Sequence, residues 1–192
     1  MSVVSQTKGL VVPVMVALAV LAAALAPPAA ADHVPDHEGA DPTFFARLSD
    51  NPSIPGHEKV NSRGQGRLDL VGSDGALRFE LSWRSLTDAA VAIEIRGEGS
   101  ATGPTLVQLY GPSGSDAIVQ GDALHSGTIE GIIGEDDVSL EVGADTSAVS
   151  SLIWDELVEG NGVVVVRTGS GPDDVEIVGV VRPRPVGGWI AV

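Results

Sequence analysis

The sequence predicts an all-β fold, a Greek-key β-sandwich or barrel with one short helix. Three observations support this prediction. From Phe44 onward, short stretches alternate between apolar and polar residues, which places their side chains on two opposite faces of a strand. Gly, Asp, Ser and Pro separate these stretches at intervals typical of sandwiches and barrels. The chain also holds 24 glycines and 12 prolines among 192 residues, a usage that favours turns over long helices.

The clearest strand is Leu77 to Trp83, in which every second residue is apolar. Such a long alternation is poorly explained by a helix. A hairpin turn at Ser73-Asp74-Gly75 joins it to the alternating stretch Gln65 to Val71. The same reasoning predicts further strands at Val91–Arg96, Thr105–Tyr110, Gly127–Ile133, Val163–Thr168 and Val175–Val181. The last two are almost continuous runs of β-branched residues, which is typical of central strands.

One segment, Ser147 to Glu159, has the spacing of a helix. Its apolar residues Val149, Leu152, Ile153 and Leu157 recur every three or four positions and define a single face. Gly160-Asn161-Gly162 follows directly and offers a C-terminal stop. The segment is therefore the predicted short helix of the fold.

Residues 1–31 have the pattern of a secretory signal peptide. Lys8 is their only charge, the stretch from Leu10 to Ala26 is apolar apart from Pro13, and Ala29-Ala30-Ala31 supplies the small residues that a signal peptidase reads. Cleavage near Ala31 is predicted, and the mature chain is expected to be secreted or held in the cell envelope or periplasm. The alternative is an uncleaved anchor, because roughly 17 apolar residues are just long enough to span a bilayer.

Composition restricts the partners of the chain. Its 11 basic and 26 acidic residues give a formal net charge of −15, which argues against nucleic acid as a partner because phosphate binding needs a basic surface. No later apolar run is long enough to span a membrane, so no transmembrane segment is predicted in the mature chain. The absence of cysteine excludes disulfides, thiolate metal sites and Cys nucleophiles.

The predicted mature chain has three parts. Residues 32–43 form an acidic leader with His33 and His37, expected to be flexible; residues 44–183 form the β domain; residues 184–192 form a C-terminal tail. Trp83 is assigned to the core, whereas Trp189 of the tail is a candidate anchor for a partner.

Six motifs follow one another in a characteristic order and spacing. They are Phe44–Ser49 with His57–Val60, Gly64–Leu70, Leu77–Leu86, Ile93–Gly97, Gly127–Ile133, and the helix with Gly162–Thr168 and Val175–Val181. Together they resemble a chordin-type (CHRD) domain over residues 44–183. The resemblance implies an exported, immunoglobulin-like β domain of the kind found in microbial envelope and extracellular proteins and in an animal growth-factor antagonist, and it implies no enzymatic activity.

The chain departs from the family where the motifs carry histidine. Glu94 and Arg96 stand in place of two histidines, and Arg167 stands in place of a later one. Arginine cannot coordinate a metal, so any metal site built on those histidines is lost here. With Glu176, these residues make two acids and two bases on neighbouring strands, which predicts a structural charge cluster paired across the sheet. The alternative is that all four side chains simply face water, where each pair contributes about 0–1 kcal/mol.

No catalytic arrangement and no cofactor are predicted. His57 and His125 are the histidines of the β domain, and neither has a nucleophile–base–carboxylate pattern around it. No metal site is predicted. If the chain binds a metal, the candidate ligands are His33 and His37 in the leader and Asp173 and Asp174 on a loop, with Asp136 and Asp137 as further oxygen donors.

The sequence therefore predicts a non-catalytic module that acts through protein–protein contacts in the cell envelope or extracellular matrix. Its expected partners are other envelope or extracellular proteins, or a second copy of the chain. The alternative function is an extracellular protein that binds copper, zinc or calcium and acts in the manner of a dismutase, an analogy that rests on sandwich architecture alone.

Overall fold

A computed structural model of the chain describes residues 42–112, 115–140, 147–169 and 174–184. Within these ranges the chain forms ten strands and three short helical segments. The helical segments are a 3₁₀ turn (Glu135–Asp137), helix α1 (Ala148–Ser151) and a π-helical segment (Leu152–Val158). The strands are β1 (Thr43–Ser49), β2 (Gln65–Ser73), β3 (Ala76–Arg84), β4 (Ala92–Arg96), β5 (Thr105–Gly111), β6 (Val119–Gln120), β7 (Gly127–Ile133), β8 (Val163–Arg167), β9 (Val175–Val180) and β10 (Arg182–Pro183).

The strands form one sheet in the order β6-β5-β4-β8-β9-β1-β2-β3-β7, with β10 paired to β1. Their pairings are antiparallel except for the short parallel contact of β5 with β6. Strands β5 and β6 approach β7 at the other end of the order, so the sheet curls into a nearly closed barrel. The prediction of an all-β fold with one short helix is confirmed.

The β2–β3 hairpin follows the predicted alternation. Its register runs from Gln65 opposite Arg84 to Ser73 opposite Ala76, with Asp74 and Gly75 as the two loop residues. Both loop residues have positive φ angles, 49° and 78°, which is the backbone of the tight turn that Asp-Gly favours. This turn fixes the register and thereby directs the apolar residues of both strands into the barrel.

The main core fills the barrel. Its largest fully buried side chains include Leu68 and Leu70 of β2, Phe79 of β3 and Ile93 of β4. Trp83 is buried there as predicted, and its indole Nε1 donates to the carbonyl oxygen of Leu124 at 3.1 Å. The residues on the opposite faces of these strands are polar or charged in most positions, as expected for a barrel with a single filled interior.

A second apolar cluster lies on the outside of β8 and β9, and we call it the outer cluster. Ile54 and Ala101, from the loops after β1 and β4, cover the strand residues there. Strand β8 therefore has Val164 and Val166 in the main core and its alternate valines outside, which explains its continuous β-branched sequence. The outer cluster consists of Ile54, Ala101, Val163, Val165, Val175 and Val178.

The helical region differs in part from the predicted single helix. Ser147 caps its N-terminus, because the Ser147 side chain accepts from the backbone nitrogen of Ser150 at 3.1 Å. Only Ala148–Ser151 is α-helical, and the chain then widens into the π-helical segment. Gly160, with φ 79°, follows the segment at the predicted stop. Within the described ranges, no helix is long and apolar enough to cross a membrane.

Candidate functional site

Glu94 lies at the centre of a buried ion cluster on the outside of the barrel. Its carboxylate is 2.6 Å from Arg96 Nη2 and 3.3 Å from Arg167 Nη1. The side chains are only 7%, 11% and 16% exposed for Glu94, Arg96 and Arg167, respectively. Water is therefore largely excluded from both ion pairs, which makes them stronger and more costly to break than exposed ones.

Strand geometry explains how these three residues meet. Ile93 and Ile95 enter the main core, so Glu94 and Arg96 share the outer face of β4. Arg167 arrives from β8, where it pairs with Ala92 and lies diagonal to Glu94. The sequence-based hypothesis named this cluster, and the structure brings these three of its four residues together.

Arg96 also fastens the loop between β4 and β5. Its Nη1 atom lies 3.1 Å from the carbonyl oxygen of Ala101 and 3.4 Å from that of Gly103. Because Ala101 belongs to the outer cluster, these bonds hold the loop over the apolar residues of β8. The cluster therefore has a structural task, and its two arginines are not metal ligands.

Glu176, the fourth residue of the predicted cluster, makes different contacts. Its carboxylate accepts from the Ser62 hydroxyl and from the backbone nitrogens of Thr87 and Asp88. The register of β8 with β9 shifts here, from Val166 opposite Ile177 to Arg167 opposite Val175. Glu176 is thus the extra residue of a β-bulge, and the bulge re-aims its side chain toward the two loops.

His57 and Asp50 form a buried pair that the sequence did not indicate. His57 Nε2 is 3.0 Å from Asp50 Oδ1, and the His57 side chain is fully buried. The other carboxylate oxygen, Asp50 Oδ2, accepts from the backbone nitrogen of Ser62 at 3.1 Å. Ser62 therefore meets Asp50 through its backbone and Glu176 through its hydroxyl, so this hydroxyl is not the partner of His57. The arrangement closes the β1–β2 loop onto β9 and is not a nucleophile–base pair.

The pKa of Asp50 is lowered in the fold. Burial raises this pKa. The hydrogen bonds from His57 and from the backbone nitrogens of Val60 and Ser62, together with the charge of His57, lower it by more than burial raises it. The ionised carboxylate therefore adds stability at pH above its ordinary value of 3.8, and this stability is lost as pH falls through the folded pKa.

Replacing Asp50 by Asn is expected to flatten the acid limb of the stability profile. The wild-type free energy of unfolding falls between about pH 6 and about pH 3, and the variant loses the part of this fall that Asp50 causes. Urea unfolding at both pH values measures the difference. Asp74→Asn is the matched control, because Asp74 is exposed in the β2–β3 turn and Asn tolerates its positive φ. Equal pH dependence in the two variants contradicts the prediction.

Acidic side chains concentrate around the π-helical segment. Burial raises the pKa of Glu156, a backbone hydrogen bond from Glu98 lowers it, and the charges of Asp155, Glu159 and Glu98 raise it again. The net direction is upward. The carboxyl groups of Glu98, Asp155, Glu156 and Glu159 therefore lie close enough to influence one another here.

A groove of about 470 Å³ lies between β1 and the strands β9 and β10. Arg47 and Arg182 line it together with Phe45, Ile54 and Val180. Strand β1 pairs in register with β9 at Ser49 opposite Val178 and with β10 at Phe44 and Phe45, and between these points Gly179 packs closely on the backbone of Arg47. Ile54, a member of the outer cluster, and Val180, which packs against it, connect this groove to the outer cluster.

The structure describes only some of the candidate metal ligands. His33, His37 and Asp173 lie outside the described residues, as does Trp189. Asp174 is exposed, and its carbonyl oxygen accepts from the backbone nitrogen of Thr168. Across the ranges that the structure covers, no three His, Cys, Asp or Glu side chains are grouped to hold a metal ion.

The remaining residues named from the sequence lie apart from this site. Asp137 accepts from the backbone nitrogen of Gly134, and Asp136 is exposed in the same turn. His125 is exposed in the loop before β7.

The chain matches no protein-family model, no curated protein sequence and no solved structure.

Proposed function

We propose that the chain is an exported, non-catalytic β-barrel module that acts through protein–protein contacts in the cell envelope or extracellular matrix. One observation carries the proposal. The buried ionisable side chains His57, Glu94 and Glu176 each bind a partner inside the fold. His57 and Glu176 contact loop residues directly, and Glu94 binds Arg96, which in turn holds the β4–β5 loop. The barrel is therefore a rigid support, and its exposed surface is the part available for function.

Sequence features support the location and the kind of protein. Residues 1–31 resemble a secretory signal, and residues 44–183 resemble a CHRD domain, a family of exported modules. The proposal takes from this resemblance only the class of protein.

Zero-length cross-linking on cells tests the proposal. The chain has two lysines, Lys8 and Lys59, so amine-to-amine reagents are poor probes, whereas a carbodiimide joins its many carboxylates to partner amines. Discrete adducts with envelope or extracellular proteins are expected after mass spectrometry. Recovery of the monomer alone overturns the proposal. One equivalent of copper, zinc or calcium in the purified chain would favour the metal-binding alternative instead.

A further inference from the structure

The groove between β1 and the strands β9 and β10 is lined by two arginines. Arg47 and Arg182 are exposed there, and neither side chain makes a hydrogen bond or ion pair within the described ranges. The other arginines of this face differ, because Arg67 and Arg184 both bind Asp69. In a chain of net charge −15, two unpaired guanidinium groups at one groove are a local reversal of charge.

The placement of Arg47 carries a cost to the fold. Arg47 lies directly opposite Arg67 in the β1–β2 register, and both side chains are exposed. Like charges directly opposite each other in an antiparallel pair are destabilising. Asp69 binds Arg67 but not Arg47, so the repulsion is relieved on one side only. A cost of this kind is consistent with a surface that meets an anionic partner.

The floor of the groove is apolar. Ile54 is 4% exposed and belongs to the outer cluster, Val180 packs against that cluster, and Phe45 is half-buried beside them. The volume of about 470 Å³ is within the range of ligand pockets. An occupant therefore needs an apolar group between two anionic ones.

We propose that this groove binds an extended acidic segment of a partner protein. Two carboxylates of the segment pair with Arg47 and Arg182, since guanidinium binds carboxylate in a planar, two-pronged geometry. An apolar side chain between them covers Ile54 and Val180. This inference rests on the proposed function and adds the chemistry of the partner.

The observations favour a peptide over an acidic polysaccharide. A polysaccharide offers no apolar side chain for the floor of the groove. A long polyanion is also repelled by the net charge of the chain. A short mixed segment is affected less, because the Debye length at physiological ionic strength is about 8 Å and contact pairs are screened less than distant charges.

Fluorescence anisotropy with the mature protein tests the inference. The probe is a labelled peptide of about ten residues with the repeat Asp-Ser-Val-Ser, in which Asp and Val share one face of the strand and the peptide is long enough to cross the groove. We expect saturable binding that weakens roughly tenfold in the double variant Arg47→Gln/Arg182→Gln. Arg78→Gln is the matched control, because Arg78 is exposed on β3 away from the groove and should leave the affinity unchanged.

Three further probes define the chemistry. Peptides with Asp replaced by Asn, or with Val replaced by Ser, are expected to bind more weakly than the original. Polygalacturonate represents the polysaccharide. Tighter binding of polygalacturonate than of the peptide overturns the inference, as does equal affinity of the wild type and the double variant or an absence of saturable binding.

Two controls separate this inference from other causes. The thermal midpoint of Arg47→Gln should equal or exceed that of the wild type, because the change removes the repulsion with Arg67. In the cell-surface cross-linking experiment, unchanged adducts with the double variant refute the groove and leave the proposed function intact. Loss of adducts only in the double variant supports both.

Discussion

Replacing Glu94 by Gln is expected to destabilise the fold by about 3–5 kcal/mol. The change preserves the shape of the side chain but leaves the guanidinium groups of Arg96 and Arg167 buried together without the carboxylate between them. Arg96 keeps its bonds to the loop carbonyls of Ala101 and Gly103, so the loss comes from unbalanced charge rather than from a missing tether. Denaturant unfolding followed by circular dichroism measures it.

Asp69→Asn is the matched control for this prediction. Asp69 also binds two arginines, Arg67 and Arg184, but its side chain is 29% exposed and those of its partners are 60% and 46% exposed. Removal of such an exposed carboxylate should cost about 0–1 kcal/mol. If both variants lose the same free energy of unfolding, burial does not govern the Glu94 cluster and the prediction is wrong.

An apolar replacement of the whole cluster sharpens the test. The triple variant Glu94→Leu/Arg96→Met/Arg167→Met removes every buried charge together, so no guanidinium is left without its counterion. We expect it to be more stable than Glu94→Gln alone. A triple variant less stable than the single one would show that the hydrogen bonds of the arginines outweigh the desolvation of their charges.

Replacing Gly179 by Ala is expected to cost about 3 kcal/mol or more, the second large effect. A Cβ atom at Gly179 would press on the carbonyl oxygen of Arg47 and would lie 2.9 Å from its carbonyl carbon. These are backbone atoms of β1, which is held by β2 along its whole length and cannot move aside locally. Thermal and denaturant unfolding measure the loss.

Gly134→Ala serves as the control. The nearest atom to a Cβ there is Asp137 Oδ2 at 3.5 Å, an ordinary contact, and its φ of −102° suits any residue. This variant should lose about 1 kcal/mol or less. A Gly179→Ala protein as stable as Gly134→Ala would mean that β1 and β9 separate easily, and the closeness of the strands would then have no energetic weight.

A strand was predictable from the sequence where it buries only one face, because its apolar residues then alternate regularly with polar ones. Strands β2 and β3 bury one face each, so alternation located them closely, and Leu77–Trp83 lies within β3. Strand β5 bulges twice against β4, between Ile93 and Glu94 and between Ile95 and Arg96, and therefore buries adjacent residues. The short strands β6 and β10 and the strand β1 were not among the predicted strands.

The candidate site was likewise predictable from the sequence only in part. Glu94 and Arg96 are two positions apart on one strand, so their shared face follows from the sequence. The bulge at Glu176 depends on how β9 pairs with β8, and no pattern within β9 indicates it. The contact of His57 with Asp50 lies in a loop, where no periodicity exists to predict which side chains meet. The π-helical widening is equally invisible in apolar spacing.

The position of β1 governs the order in which the domain is completed. One edge of β1 pairs with β2, which follows it closely in the chain. The other edge of β1 pairs with β9 and β10, which lie near the end of the described residues. A nascent chain can therefore form the β1–β2–β3 meander early but leaves an open strand edge until the last strands emerge. Such edges recruit other chains. Because completion of the barrel needs a pairing between distant strands, we expect folding in the slow class of β proteins, in the millisecond-to-second range, with the edge of β1 unprotected until then.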